Sequence, residues 1–288
     1  MARRFASRFV AGETIDDAVG AVRALNARKI SASLDLLGES VTNAAEARAT
    51  ADHYVTLLDR IATEGLDSNV SVKLTAMGQD ISDTLCIENI TRVLERARTH
   101  QTFVRLDMEG SAYTERTLQL FEEHLFPRFP EEVGIVLQSY LRRTAADVSN
   151  ALDIQCRVRL CKGAYKEPAT VAFPDKRDVD ASYVTEMKRL MLRGKYPGVA
   201  THDEAIIAEA KRYATEQGIA RDRFEFQMLY GVRRDLQDQL VREGYGMRVY
   251  VPYGTQWYPY LMRRLAERPA NVAFMTGSIM KETFAPRR

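Results

Sequence analysis

Cysteine is scarce in this chain, with three residues among 288, and their spacing builds nothing. Cys86, Cys156 and Cys161 form neither a metal motif nor a disulfide framework, which suits a reducing compartment. No run approaches the ~20 consecutive apolar residues that span a bilayer. Charge of one sign is missing too: 41 Lys and Arg stand against 39 Asp and Glu. No basic stripe with interleaved aromatics occurs, so a nucleic-acid partner is not expected. His53, His100, His124 and His202 show no metal-ligand spacing, and no metal is expected. A glycine-rich dinucleotide fingerprint, a P-loop and a Gly-x-Ser-x-Gly elbow are all absent. Arg3, Arg4 and Arg8 make the start locally basic, without the apolar core of a secretory signal peptide. A soluble protein of the cytoplasm, or one peripheral on the inner membrane face, is the expectation.

What the chain does contain is alternation. Strand-like runs at 30–37, 69–75, 102–108, 133–140, 156–163, 198–203, 224–229 and 247–254 alternate with helix-like runs. Eight strand–helix repeats predict a parallel α/β sheet closed into a (βα)8 barrel, in a chain close to the roughly 250 residues of that fold. Residues 1–29 read as a preceding helix segment, amphipathic from Glu13 to Lys29, and 30–288 as one catalytic barrel. Thr42 or Asn43 can cap the helix that Gly65 ends.

Within the runs, one face is aliphatic and the other polar. Val70, Val72 and Leu74 oppose Ser71, Lys73 and Thr75. Val104, Leu106 and Met108 oppose Arg105 and Asp107, and Phe224 and Phe226 oppose Glu225 and Gln227. Helices must cover the outside of a parallel barrel, so the polar faces point inward. Arg105, Arg157 and Glu225, early in their strands, read as a buried ion network in which they neutralise one another. Lys73, Asp107, Gln138, Arg159, Gln227 and Tyr250, nearer the strand ends, read as ligand contacts, because unpaired buried charge is costly. After the last strand, Tyr260, Arg263, Arg264 and Glu267 share one helical face. That face is either solvated, with an Arg263–Glu267 pair, or an anion clamp over the barrel mouth. His202, ending the sixth strand, is either a cap for the next helix or a cofactor contact.

Together these stretches resemble the proline dehydrogenase family. The matching pieces are Leu-Leu-Gly-Glu39, Val-Ser-Val-Lys-Leu-Thr75, Arg-Leu-Asp-Met-Glu109, Val-Leu-Gln-Ser-Tyr140, Arg-Leu-Cys-Lys-Gly-Ala-Tyr165 and Ala-Thr-His-Asp203. Phe-Glu-Phe-Gln-Met-Leu-Tyr-Gly231, Arg-Val-Tyr-Val-Pro-Tyr-Gly254 and Tyr-Leu-Met-Arg-Arg-Leu-Ala-Glu267 complete the set. The resemblance implies a distorted (βα)8 barrel of TIM type with the eighth barrel helix, the one after the last strand, over the mouth. It implies FAD as cofactor, oxidation of L-proline to Δ1-pyrroline-5-carboxylate, a membrane quinone as electron acceptor and a separate pyrroline-5-carboxylate dehydrogenase.

By position, the resemblance implies that Lys73, Arg263 and Arg264 bind the proline carboxylate, while Leu229, Tyr250 and Tyr260 enclose the ring. Asp107 would organise Lys73 and its neighbours, and Arg159 would sit by the flavin N5. Gln138 would meet the pyrimidine edge. Met108, Lys162, Gly163 and Ala164 would contact the cofactor, with Thr201 and His202 at its distal half. Glu39 would gate the site against the first of the paired arginines, and Tyr260 would crowd C4 of the ring, disfavouring 4-hydroxyproline.

Read from side chains alone, two other activities stay open. One is a Schiff-base lyase using Lys73 or Lys162; the other is a silent barrel that only binds. Methylenetetrahydrofolate reductase shares the architecture, but the doubled arginine suits proline better.

Overall fold

Eight parallel strands pair in strict chain order and close, β1 against β8, in a computed structural model that describes residues 8–258, 260 and 262. The strands are β1 (Ser31–Leu36), β2 (Ser68–Val72), β3 (Val104–Leu106), β4 (Val133–Gln138), β5 (Arg157–Cys161), β6 (Gly198–Ala200), β7 (Glu225–Leu229) and β8 (Gly246–Tyr253). Helix α1 (Ile15–Asn26) precedes the barrel. It is followed by α2 (Ala44–Thr63), α3 (Asp83–Thr99), α4 (Ser111–Leu120), α5 (Thr144–Asp153), α6 (Lys176–Arg193), α7 (Glu204–Glu216) and α8 (Arg234–Arg242). The barrel and its single-domain character are as the alternation predicts.

Local sequence explains most element ends. Thr14 and Asp17 form a reciprocal capping box at α1, and the Asn43 side chain, not Thr42, accepts from the Ala45 amide at the start of α2. Gly65, with φ of +61°, ends the turn after α2. Other ends differ from the sequence reading. The run expected to continue β2 to Thr75 leaves the ladder after Val72 and coils into a 3-10 turn over Leu74–Met77. Helix α6 begins five residues earlier than its apolar period suggests, because its first turn is charged and only Val179, Tyr183, Met187, Leu190 and Met191 are buried. Near the end of α4 the chain widens into one π turn, Phe121–Leu125.

The core lies between strands and helices, where Leu34, Val70, Val72, Val104, Leu106, Val158, Leu160, Val249 and Val251 are all buried. Helix α1 packs on β1 and β8 and so fills the outer groove that a helix following β8 would otherwise occupy. The described chain after β8 stays beside it: the Gly254 amide donates to the Gly12 carbonyl, and Trp257 Nε1 donates to Glu13 Oε1 at 3.2 Å.

The lumen is polar, as predicted, but its lower ion network is arranged differently. Glu225 pairs with Arg248 at 2.7 Å and accepts from Gln227, rather than neutralising Arg105 or Arg157. Arg105 is satisfied by the carbonyls of Ile135 and Arg157 at 3.0 and 2.7 Å. Its neighbour Gly134 leaves the room this needs: a Cβ there would lie 2.5 Å from the Arg157 carbonyl oxygen and 2.9 Å from Arg105 Nη1. Gly134→Ala is therefore expected to destabilise the barrel by about 1–3 kcal/mol, the ordinary cost of overpacking, read as a lower midpoint in denaturant unfolding.

Candidate active site

The strand C-terminal ends form the mouth, and a single guanidinium ties its base together. Arg159, on β5, donates from Nε to Gln227 Oε1 on β7 at 2.5 Å and from Nη1 to Asp107 Oδ1 after β3 at 2.8 Å. Its Nη2 reaches Ser33 Oγ on β1 and Ser71 Oγ on β2 at 3.3 and 3.2 Å. The Tyr250 ring lies 5.3 Å from the guanidinium carbon, and the Tyr250 hydroxyl donates to Asp107 Oδ2 at 2.7 Å. Five strand positions thus converge on one cation that is only 6% exposed. Burial, and then the Asp107 and Asp35 carboxylates, push the Tyr250 hydroxyl well above its ordinary pKa, so it stays a donor.

Lys73 stands beside this knot. Its Nζ pairs with Asp35 Oδ1 at 2.7 Å, whereas the resemblance implies Asp107 as its organiser. Asp107 spends its oxygens on Arg159 and Tyr250. Burial pushes the Asp35 carboxyl up; it pushes Lys73 down, but Asp35, Asp107 and Glu109 more than offset that and hold the ammonium above its usual value. Lys73 is therefore a protonated cation, the wrong state for a Schiff-base nucleophile. Asp35 escaped the sequence reading although it shares an inward face with Ser33; the signal was the Ser-x-Asp alternation in β1.

A second support runs beneath Glu39. Thr75 donates from Oγ1 to Glu109 Oε1 at 2.6 Å, while the same oxygen accepts from the Ser40 amide at 3.0 Å and the Thr75 carbonyl accepts from the Val41 amide. Glu109 is buried, which raises its pKa. The Glu39 loop is thus hung on Thr75 and Glu109, neither of which the sequence reading placed in the site.

Around the mouth the remaining positions separate. Gln138 donates to the Met108 carbonyl at 3.1 Å, and its own buried Oε1 has no hydrogen-bond partner. Gly163 adopts φ of +108°, and a Cβ there would lie 2.2 Å from the Tyr140 ring. Lys162, beside it, is held by Asp180 and Asp203 at 2.6 and 2.8 Å, and Ala164 is exposed. Helix α7 is capped by Asp203, not His202: Asp203 Oδ1 accepts from the Ala205 amide. His202 instead accepts the Leu229 amide on Nε2 at 2.9 Å, linking the ends of β6 and β7. Thr201 is buried and accepts from the Asp203 amide. Tyr260 lies within electrostatic reach of Tyr250. Arg263, Arg264 and Glu267 lie outside the described residues.

A buried cation with one principal carboxylate makes a sharp prediction. Asp107→Ala strands Arg159 and is expected to cost about 3–5 kcal/mol in denaturant unfolding. Adding Arg159→Leu to that background should cost little more, because the stranded charge is gone.

With this geometry in view, comparison with known proteins is informative. The family model for proline dehydrogenase matches residues 18–277. Proline dehydrogenase 2 of Bacillus subtilis is 44% identical over 98% of this chain and 94% of its own length. The proline dehydrogenase of Deinococcus radiodurans is likewise 44% identical, over 96% and 90%. Among solved structures, proline utilization A of Bdellovibrio bacteriovorus, inactivated by N-propargylglycine, superposes with a TM-score of 0.86 at 28% identity, over 98% of this chain and 34% of that one.

Proposed function

The chain belongs to the proline dehydrogenase family, and we propose that it oxidises L-proline to Δ1-pyrroline-5-carboxylate with bound FAD, using a membrane quinone as final acceptor. The observation that carries this reading is the pairing of a protonated lysine with a rigid, aromatic-sided polar knot at one mouth. Proline offers one carboxylate and one small apolar ring, and the mouth offers a partner for each.

The residues present fit a flavin. The partnerless Gln138 Oε1 is an acceptor suited to a ring N–H of the pyrimidine edge, and glycine at 163 keeps the chain against Tyr140 with no side chain in the way. Gln138, Arg159, Met108, Lys162, Gly163, Ala164, Thr201 and His202 would hold the cofactor, which when bound supplies the hydride acceptor for C5 of proline.

Each of the chain's own residues has a physical task. Lys73 binds the substrate carboxylate through charge-assisted hydrogen bonds, and Asp35 keeps its ammonium charged and aimed. Arg263 and Arg264, outside the described residues, would complete that clamp. Tyr250, locked by its bond to Asp107, gives the ring a fixed wall, with Leu229 and Tyr260 as the others. Asp107 fixes Arg159, whose immobile positive charge favours arrival of negative charge above it without reorganisation. The loop carrying Glu39 rests on Thr75, and Glu39 would gate access by pairing with Arg263. The product would pass to a separate pyrroline-5-carboxylate dehydrogenase, and no helix among the described residues is long and apolar enough to cross a membrane, so the quinone would be met at the membrane surface.

The deciding experiment is an anaerobic visible spectrum of the purified holoprotein before and after L-proline. Bleaching of a flavin band is expected; a flavin band that proline leaves unchanged would overturn the substrate assignment, and lack of flavin after reconstitution with FAD would overturn the cofactor. Hydride leaves C5 only when the ring nitrogen has a free lone pair, so kcat/KM should rise from mildly acidic to mildly alkaline pH. Lys73, held above the ordinary lysine range by Asp35, Asp107 and Glu109, stays charged throughout, so the rise belongs to the substrate amine. A flat profile would count against this mechanism.

A further inference from the structure

At the opposite end of the barrel, the strand N-termini surround a second polar cavity of about 400 Å³, lined in part by Asp67, Asn69, Arg98, Thr102, Arg157 and Arg248. That volume is ample for a small ion with its hydration. Three arginines meet at this floor, Arg105, Arg157 and Arg248, and one buried carboxylate, Glu225, answers them. Glu225 is bound to Arg248 at 2.7 Å, while Arg248 also donates to the Ala32 carbonyl and to Asn69 Oδ1 at 2.8 and 3.1 Å. Arg105, above the cavity, is fed only by carbonyls. Burial and then the other guanidiniums, Arg159 first, depress its pKa, while Glu225 opposes that shift.

Arg157 is different. Its guanidinium stacks 5.0 Å from the Phe103 ring centroid and 5.8 Å from that of Tyr196, and its buried Nε has no hydrogen-bond partner. The carboxylates at the rim have direct partners of their own, Glu131 with Lys195 at 2.6 Å, Glu132 with Arg98 at 3.0 Å and Asp67 with the Ser31 hydroxyl at 2.6 Å, while Glu131 also acts through space on Arg157 and Asp67 on Arg248. An arginine fork set on aromatic walls in a polar cavity, with a second arginine and an asparagine in the same lining, is the chemistry that recognises a planar or tetrahedral oxyanion.

We propose that the floor of the barrel, centred on Arg157 with Arg248 and Asn69, is a second binding site for a small oxyanion, a phosphate or a carboxylate. The site is separate from the mouth, where Lys73 and Tyr250 lie at the other strand ends. Its ligand binds the folded barrel and not the unfolded chain, and therefore stabilises the fold.

The test is thermal unfolding of the FAD-loaded protein with rising inorganic phosphate, ionic strength held constant with sodium chloride. A saturable rise in Tm of roughly 2–3 °C at ten times the dissociation constant is expected. Arg157→Gln should abolish it. A rise that persists in Arg157→Gln, or no saturable rise in the wild type, would overturn the proposal. Should the variant fail to fold, equilibrium dialysis of labelled phosphate against wild-type protein saturated with proline decides: one equivalent per chain supports the site and none sinks it. The KM for proline must stay unchanged by phosphate, since competition would place the ion at the mouth. Malonate in place of phosphate separates the sources: an equal shift extends the site to carboxylates, and a shift with phosphate alone confines it to phosphate.

Discussion

A parallel barrel with charged residues inside must neutralise and hydrogen-bond all of them in a space that admits little water, and Arg159 is where that demand is met. One guanidinium bonds to side chains from β1, β2 and β7 and to the carboxylate after β3, with the β8 tyrosine packed over it. Asp107 then does double duty, holding Arg159 with one oxygen and Tyr250 with the other. The walls of the mouth are rigid because the base beneath them has no slack. Such fixed dipoles and charges are what an active site needs, since they do not have to reorganise when charge moves.

That knot divides the lumen into two electrostatic regions. Above it, Lys73 has its own buried carboxylate in Asp35, with Asp107 and Glu109 adding through space to the charge that keeps its ammonium protonated. Below it, Glu225 takes Arg248 as its direct partner, and glycine at 134 makes room for Arg105 to turn to backbone carbonyls instead. The same strands therefore supply a carboxylate-paired cation to the mouth and a carbonyl-bonded one to the floor. Alternation along each strand produces this, because every second residue faces inward at both ends.

The position of α1 shapes the rest. It packs against β1 and β8, and the described residues after β8 are tethered to Gly12 and Glu13 just ahead of it. Tyr260, among the last described residues, lies within electrostatic reach of Tyr250 in the mouth. An amphipathic helix ahead of the first strand thus has a tertiary role that its own sequence, read locally, does not carry.

Strand count, closure and the inward polar faces were legible in the chain because a period of two and an aliphatic outer face are local properties. Family motifs added the mouth residues by position. What the sequence by itself could not assign was partnership. Asp35 and Asp107 are both inward carboxylates near Lys73 and Arg159, and only the stagger of the closed barrel decides that Lys73 meets Asp35 while Asp107 meets Arg159 and Tyr250. The ion network expected of Arg105, Arg157 and Glu225 is arranged differently for the same reason: β8 brings Arg248 into direct contact with Glu225, which acts on Arg105 only through space. His202 was read as cap or contact, and the register of β6 against β7 made it a tie between them, leaving the cap to Asp203. Which residues face inward is written along the chain; which of them touch is set by how eight strands are sheared around an axis.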